Sequence, residues 1–267
     1  MRGIAVPKGL FIDKAITGAP WRGQQRRTRM VVYRYVNPAL REPHPPEEAL
    51  NQVCERLSSA LAGAGVVAAR QNGEQIHAWL LRWFNPEPDW VDKETLYRTA
   101  AHQDDESGVL PVENDFSETV LFSPPRSDVE RGVWWFDGLP HKAVTVDRLR
   151  RAPTVGHLTG ETRKGENINA LMDLLPEGTV ASLTLVVQPQ DVLEERFNHL
   201  AKNAIGENTE SERVREDSET AKRYLGEKHK LYRGSMTFYL KAPTVKVLNA
   251  RQRDLTAVLL NAGLQPV

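Results

Sequence analysis

The chain has 267 residues, of which 35 are Lys or Arg and 35 are Asp or Glu, so its formal net charge is zero. This balance argues against a protein that binds nucleic acid through overall charge and against an acidic disordered tail. The single cysteine, Cys54, excludes an internal disulfide framework and a cysteine-based zinc ribbon. No apolar run approaches the roughly 18 residues that a transmembrane helix requires. We therefore expect a cytoplasmic globular protein without a transmembrane segment.

Residues 1–28 are rich in Gly, Pro and Arg and predict a basic extended arm. Clustered basic side chains are the usual means of contacting phosphate groups or an acidic partner. The arm and the residue after it supply four candidates for such contacts: Arg22, Arg26, Arg27 and Arg29. A solvated basic segment near a terminus is the favoured interpretation, and contact with phosphate groups or a membrane surface is the alternative.

Residues 29–85 predict an N-terminal βαββ unit. The β-branched and aromatic run MVVYRYVN favours a strand from about Arg29 to Asn37, and the prolines that follow end it. EEALNQVCERLSSALAGAG has apolar residues at helical spacing, with Cys54 among them, and predicts a helix. Asn72-Gly73 then lies between two strand-like runs and predicts a tight hairpin, because both residues tolerate a positive φ.

Residues 86–165 predict a loop-rich β insertion or subdomain, with a short helix near Lys93 to Ala101. Two strands are expected around Asp137-Gly138. Three consecutive aromatic residues, Trp134, Trp135 and Phe136, cannot share one face of a strand, since side chains alternate between faces. A packed sheet is therefore favoured over a platform for stacking bases.

Residues 166–267 predict a C-terminal βαβα unit. ASLTLVVQP is a strand, Asp191 caps a helix, GSMTFYLKA is another strand, and the last helix runs from Thr244 to Leu260 and stops at Gly263. Segment 207–230 mixes charges of both signs and predicts a solvated helix or a hinge. The chain as a whole predicts an α+β fold, with ferredoxin-like β-α-β units packed against the inserted β subdomain. Whether its two α/β units share one sheet is open.

Catalytic motifs are not found in the sequence. GETRKGEN, at residues 160–167, has the glycine spacing of a Walker A motif, but Glu166 and Asn167 replace the required Lys and Ser or Thr. A nucleophile elbow is missing, and no two histidines have the i, i+4 spacing of a helical metal site. We predict no catalytic, cofactor-binding or metal-binding residue. A hydrolase site formed by His141 and His157 is a weaker alternative.

Several sequence segments together resemble one family, the TraC-like conjugative-transfer ATPases of type IV secretion systems in integrative conjugative elements. The resemblance runs from about Gly9 to Val267 and covers the region ahead of the family's motor domain. It is carried by GLFIDKAITGAP, RRTRMVVYRYV, AWLLRWFNPEP, GVWWFDGLPHKAVTVDRLRRAPTVGHLTGE, LMDLLPEGTVASLTLVVQPQD, HKLYRGSMTFYL and NAGLQPV.

The resemblance implies an N-terminal docking and assembly domain, either excised or encoded by a split gene. ATP and magnesium would then belong only to the RecA-like motor domain, so this chain has no enzymatic activity of its own. Its implied partners are the inner-membrane secretion complex, its own motor domain and neighbouring subunits, with homo-oligomers among the options. The implied location is cytoplasmic and peripheral to the bacterial inner membrane. The alternative is a stand-alone nucleic-acid-binding module that uses the basic arm, which salt-dependent affinity would reveal.

Overall fold

The computed structural model describes residues 11–12, 21–22, 28–34, 45–99, 116–150, 157–158, 161–164, 167–227 and 231–267. The chain divides into two compact units, Met1–His77 and Ala78–Val267. The helices are α1 (Pro46–Gly63), α2 (Gly73–Phe84), α3 (Lys93–Thr99), α4 (Phe116–Val120), α5 (Gln190–Asn203), α6 (Thr209–Gly226) and α7 (Val245–Asn261). The strands are β1 (Phe11–Ile12), β2 (Trp21–Arg22), β3 (Arg126–Asp128), β4 (Val133–Phe136), β5 (Leu139–Leu149), β6 (Glu161–Lys164), β7 (Asn167–Ala170), β8 (Val180–Val187), β9 (Tyr232–Lys241) and β10 (Leu264–Pro266). This mixture of helices and antiparallel sheet confirms the α+β class.

The strand predicted from Arg29 to Asn37 is wrong over its described part. Residues 28–34 form no strand, and Val31 and Tyr33 are exposed, while residues 35–37 lie outside the described residues. A β-branched composition favours extended backbone, but a strand also needs a neighbour for its peptide groups, and composition does not supply one. The predicted helix that follows is confirmed as α1, with a proline at its start and Glu47 and Glu48 in its first turn.

The hairpin predicted at Asn72-Gly73 is also wrong, because these residues begin α2. The Gln75 amide donates to Asn72 Oδ1 at 2.9 Å, and the Asn72 amide donates to Gln75 Oε1 at 3.0 Å. This reciprocal pair is a capping box, which satisfies two backbone donors at a helix start. Over the described residues, segment 29–85 therefore contains two helices and not a βαββ unit, so its predicted ferredoxin-like opening does not form.

The main sheet has the strand order β3-β4-β5-β9-β8, and β10 pairs with the far end of β5. All of its pairings are antiparallel. The predicted strands around Asp137-Gly138 are confirmed: φ is +46° at Asp137 and +75° at Gly138, as a two-residue hairpin turn requires. Because β5 pairs with β9, strands β3, β4 and β5 of the predicted insertion 86–165 join one sheet with the C-terminal strands β8 and β9. Strand β6 pairs with β7 in a separate two-stranded sheet.

Helix α7 covers one face of this sheet and confirms the helix predicted from Thr244 to Leu260. The Val247 amide donates to the Thr244 side chain at 3.3 Å, which caps the helix, and Gly263, at φ +79°, follows its end. Three leucines of α7, all fully buried, pack into a core with residues from four strands. The core contains Val133, Val144, Leu175, Phe238, Leu240, Ala242, Leu248, Leu255, Leu259 and Leu264.

The opposite face of the sheet carries aromatic contacts with α2. The Trp83 and Tyr239 rings meet edge to face at 6.3 Å between centroids, and Phe84 lies 5.7 Å from Phe136. Trp135 packs against the α7 side, whereas Trp134 is exposed. The predicted alternation of the aromatic run is therefore confirmed.

Asn85 joins four segments of the second unit. Its fully buried side chain donates from Nδ2 to the carbonyls of Leu81 at 3.1 Å and Val120 at 2.6 Å, and its Oδ1 accepts from the Phe122 amide at 3.1 Å. The Tyr97 hydroxyl donates to the Asn85 carbonyl at 2.7 Å. Asn85 thus fixes the end of α2 to α3 through its backbone carbonyl, and to the end of α4 and the segment after it through its side chain.

We expect Leu255→Ala to lower the free energy of unfolding by about 2–5 kcal/mol, since it removes packed methyl groups from a rigid core. Val247→Ala, on the same helix but partly exposed, is the matched control and should cost less than about 1 kcal/mol. Urea unfolding of the full chain, followed by tryptophan fluorescence, measures both. Equal losses for the two variants would contradict the assignment of Leu255 to the core.

We expect Asn85→Ala to lower the free energy of unfolding by about 3 kcal/mol, because it removes the partner of the buried Val120 carbonyl and of the part-buried Phe122 amide. Asn203→Ala, at an exposed position, is the control and should change the unfolding free energy by less than about 0.5 kcal/mol. Hydrogen exchange at the Phe122 amide gives a second measurement. Unchanged protection of that amide in Asn85→Ala would refute the role of Asn85.

Candidate functional site

A pair of helices interrupts the connection between two neighbouring strands. β8 and β9 pair antiparallel from Val180 opposite Tyr239 to Val187 opposite Tyr232. Strands paired in this way need only two to five residues to connect them. The chain instead inserts residues 188–231, which contain α5 and α6. The two helices pack along each other, and we call them the helical hairpin.

Local sequence signals explain how the helical hairpin forms. The prediction that Asp191 caps the first helix is wrong: α5 begins at Gln190 after Pro189, and Asp191 lies within its first turn, where its charge suits the helix dipole. Asn208 caps α6, since its Oδ1 accepts from the Ser211 amide at 2.7 Å. Gln190 Nε2 donates to the Leu225 carbonyl at 3.5 Å, which links the start of α5 to the end of α6.

The surface of the helical hairpin mixes charged and apolar side chains. The charged segment predicted over 207–230 is helical over Thr209–Gly226, which confirms the prediction of a solvated helix. Leu193 and Leu225 are buried, while five large apolar side chains are exposed: Val192, Leu200, Ile205, Val214 and Tyr224. Ile205, in the connection between the helices, is 84% exposed. Apolar residues among charges of both signs are typical of a surface that contacts another protein.

Three arginines line an open cavity of about 490 Å³ beside the end of β5: Arg148, Arg150 and Arg213. Arg148 Nε lies 3.2 Å from Asp147 Oδ2, and Arg213 Nε lies 3.9 Å from Asp217 Oδ2. Arg150 donates twice to Gln265 Oε1, at 3.0 and 2.7 Å. Because each arginine already has a polar partner, two of them a carboxylate, the cavity offers a mixed polar surface and is not a dedicated anion site.

Two of the four predicted arginines, Arg22 and Arg29, lie in the described residues. Arg22 lies in β2, paired in register with Phe11, and Arg29 is exposed in segment 28–34. Arg26 and Arg27 lie outside the described residues. The contact of this arm with phosphate or a partner stays a prediction.

His141 and His157 take part in separate structural contacts. The His141 ring packs edge to face on Phe136 at 5.1 Å, and its Nδ1 lies 2.9 Å from the Leu139 carbonyl. Burial lowers the pKa of His141, and the Lys241 charge adds to this, although the hydrogen bond to Leu139 opposes it. His157 Nε2 lies 2.8 Å from the Ala262 carbonyl, just after α7. Since the two rings bind different backbone carbonyls, the structure gives the hydrolase alternative no support.

The segment with Walker A glycine spacing forms part of a β-hairpin. β6 and β7 pair antiparallel with Lys164 opposite Asn167, so only residues 165 and 166 connect them. A phosphate-binding loop instead joins a strand to a helix. Over the described ranges there is no group of three or more His, Cys, Asp or Glu side chains placed to hold a metal ion. None of the helices in those ranges has the length and apolar content needed to cross a membrane.

These features define an α+β protein with one large antiparallel sheet, a helix covering one face, and a helical hairpin inserted between two paired strands. A family model described as TraC protein matches residues 2–267. The chain therefore belongs to the TraC protein family and is a conjugative-transfer protein related to type IV secretion. No curated protein matches the chain significantly.

We expect acidification to destabilise the protein partly through His141. Its pKa in the folded state lies below the ordinary value of 6.5, so the unfolded chain takes up a proton first as the pH falls below that value. The unfolding free energy should therefore decrease between pH 7 and pH 5, and His141→Gln should reduce this decrease. Exposed His199→Gln is the control. Urea unfolding at pH 7, 6 and 5 tests this, and identical pH profiles for the wild type and His141→Gln would contradict it.

Proposed function

We propose that this chain is the N-terminal docking and assembly domain of a conjugative type IV secretion ATPase. The observation that carries the proposal is the helical hairpin, which lengthens a connection that the sheet could close with two residues. Membership of the TraC family supports a role of this chain in conjugative transfer. The helical hairpin is the proposed contact with the inner-membrane secretion complex or with neighbouring subunits.

The chemistry of the helical hairpin suits this role. Exposed apolar side chains, Ile205 and Leu200 among them, supply area that a partner removes from water. Charges of both signs on α6 align a partner surface that has the complementary charge pattern, and they disfavour partners without it. The same charges keep the surface soluble. Zero net charge on the whole chain is in keeping with recognition by local patches and not by long-range attraction.

We assign the binding of ATP and magnesium to a RecA-like motor domain and not to this chain. The sequence at residues 160–167 has Walker A glycine spacing, but Glu166 replaces the phosphate-binding lysine, and strands β6 and β7 flank residues 165 and 166. The chain then acts in the cytoplasm, at the inner-membrane base of the secretion machine, and couples a motor to the channel. Its own contribution is positional and not hydrolytic.

A hairpin-deletion variant tests the docking role. Replacing residues 188–231 by Asn-Gly connects Val187 to Tyr232 through a two-residue turn. Val187 and Tyr232 already lie opposite each other in the strand pair. We expect this variant, in the gene product that carries the chain, to keep its sheet by circular dichroism and to lose conjugative DNA transfer. A mating assay measures the transfer frequency. Normal transfer by a folded deletion variant would overturn the proposal.

A point variant gives a finer test of the same surface. We expect Ile205→Asp to weaken the binding of the purified chain to inner-membrane vesicles that contain the secretion complex by about thirtyfold, the effect of losing one central apolar contact. Val129→Asp is the matched control, because Val129 is 88% exposed in the turn between β3 and β4. Vesicles from cells without the secretion complex give the background. Equal binding to both kinds of vesicle would refute a specific docking role.

A further inference from the structure

One outer edge of the main sheet is formed by β8. Of the strands in the described part of the chain, only β9 pairs with it, along its whole length. The eight residues of β8, VASLTLVV, include no charged residue, no proline and no glycine. Edge strands are ordinarily protected by lysines, prolines or bulges, because their outer peptide groups offer a ready site for another strand. β8 has none of these protective features.

Apolar side chains of β8 extend the core face of the sheet into solvent. In register with β9, Ala181 lies opposite Phe238 in the core, and Leu183, Leu185 and Val187 follow on the same face. These three side chains are 57%, 56% and 75% exposed. Exposed Tyr232 lies opposite Val187 and widens the apolar surface. The apolar stripe thus continues well past the residues that α7 buries.

We propose that β8 pairs antiparallel with β8 of a second copy of this chain, so that one sheet runs through a twofold-symmetric dimer. The proposal does not depend on the docking role of the helical hairpin. Pairing would satisfy the outer peptide groups of both strands and cover the exposed leucines of both copies.

The absence of charge is what favours a second copy as the occupant. In a twofold strand pair, each residue near the axis faces itself or a close neighbour, so any charge there meets a like charge. A charged partner strand would be selected by a complementary charge on β8, and β8 has no such charge. A strand of alternating apolar and small hydroxyl residues is complementary to itself.

The pleat of the sheet restricts the register of this pair. Residues opposite each other must lie on the same face, so the symmetry axis passes beside a residue and not between two residues. An axis beside Leu183 places Leu185 opposite Ala181 of the second copy. An axis beside Thr184 places Leu185 opposite Leu183 of the second copy. Both registers bury the exposed leucines on one continuous face.

Sedimentation velocity of the full 267-residue chain tests the dimer. We expect the wild type to change with concentration from a species of 30.1 kDa to one of twice that mass. Leu185→Lys should raise the dimer dissociation constant by at least about tenfold, because it places a charge inside the strand pair of each copy. Val129→Lys, at a position that is 88% exposed and lies at the other edge of the sheet from β8, should leave the constant unchanged.

Thr184→Lys is a second variant in case Leu185→Lys does not fold, since Thr184 already bears a polar side chain on the other face of β8. A wild type that stays monomeric at all concentrations would overturn the proposal, as would a Leu185→Lys or Thr184→Lys dimer of unchanged affinity. Slow hydrogen exchange at the outer β8 amides of a monomer would also overturn it, because another segment or another protein would then cover the edge.

Disulfide cross-linking identifies the contact directly. With the only cysteine removed by Cys54→Ala, the variants Leu183→Cys and Thr184→Cys place one thiol in each copy. A residue beside the symmetry axis lies opposite the same residue of the second copy, within the distance that a disulfide can bridge. We expect rapid cross-linking at one of the two positions and none for Val129→Cys. A dimer that cross-links at neither position would show that another surface forms it, and would overturn the strand pairing.

Discussion

Burial of three leucines of α7 against Phe238 and Leu240 of β9 is the interaction on which the second unit depends. It selects which face of the sheet is the core, and thereby fixes the orientation of every residue in β4, β5, β8 and β9. Since α7 covers the central strands, the apolar stripe on β8 extends beyond the helix into solvent. The same packing holds β10 beside β5, because β10 begins directly after α7 ends.

The two outward features of this sheet are neighbours in sequence but differ in chemistry. β8 presents an uncharged edge, whose outer peptide groups suit another strand. The helical hairpin that follows it presents charges of both signs around exposed apolar residues, which suit a globular protein surface. A TraC-family protein that assembles into a secretion machine needs contacts between like subunits and contacts with unlike ones. In the proposed assembly, β8 contacts a like subunit and the helical hairpin contacts an unlike one.

The sequence predicts the C-terminal half of the fold well, because its signals are strong and local. β8, β9, α7 and the Asp137-Gly138 turn follow from periodicity, β-branched runs and glycine positions. The prediction for the N-terminal half is wrong where one sequence pattern is compatible with two structures. Asn72-Gly73 is typical of a hairpin, yet Gln75 three residues after Asn72 is the signal of a helix start, and the helix forms. The contacts of Asn85, and the sharing of one sheet by distant segments, depend on long-range geometry that no local pattern contains.

The pairing of Val187 with Tyr232 has a consequence for how this protein diversifies. Directly opposed residues in an antiparallel pair have Cα atoms only about 5 Å apart, so the insertion leaves and re-enters the sheet at almost one point. A module anchored in this way can change its length, tilt or surface without straining the strands beneath it. Relatives of one fold can therefore acquire different partners by exchanging this one segment, while the sheet that carries it stays the same.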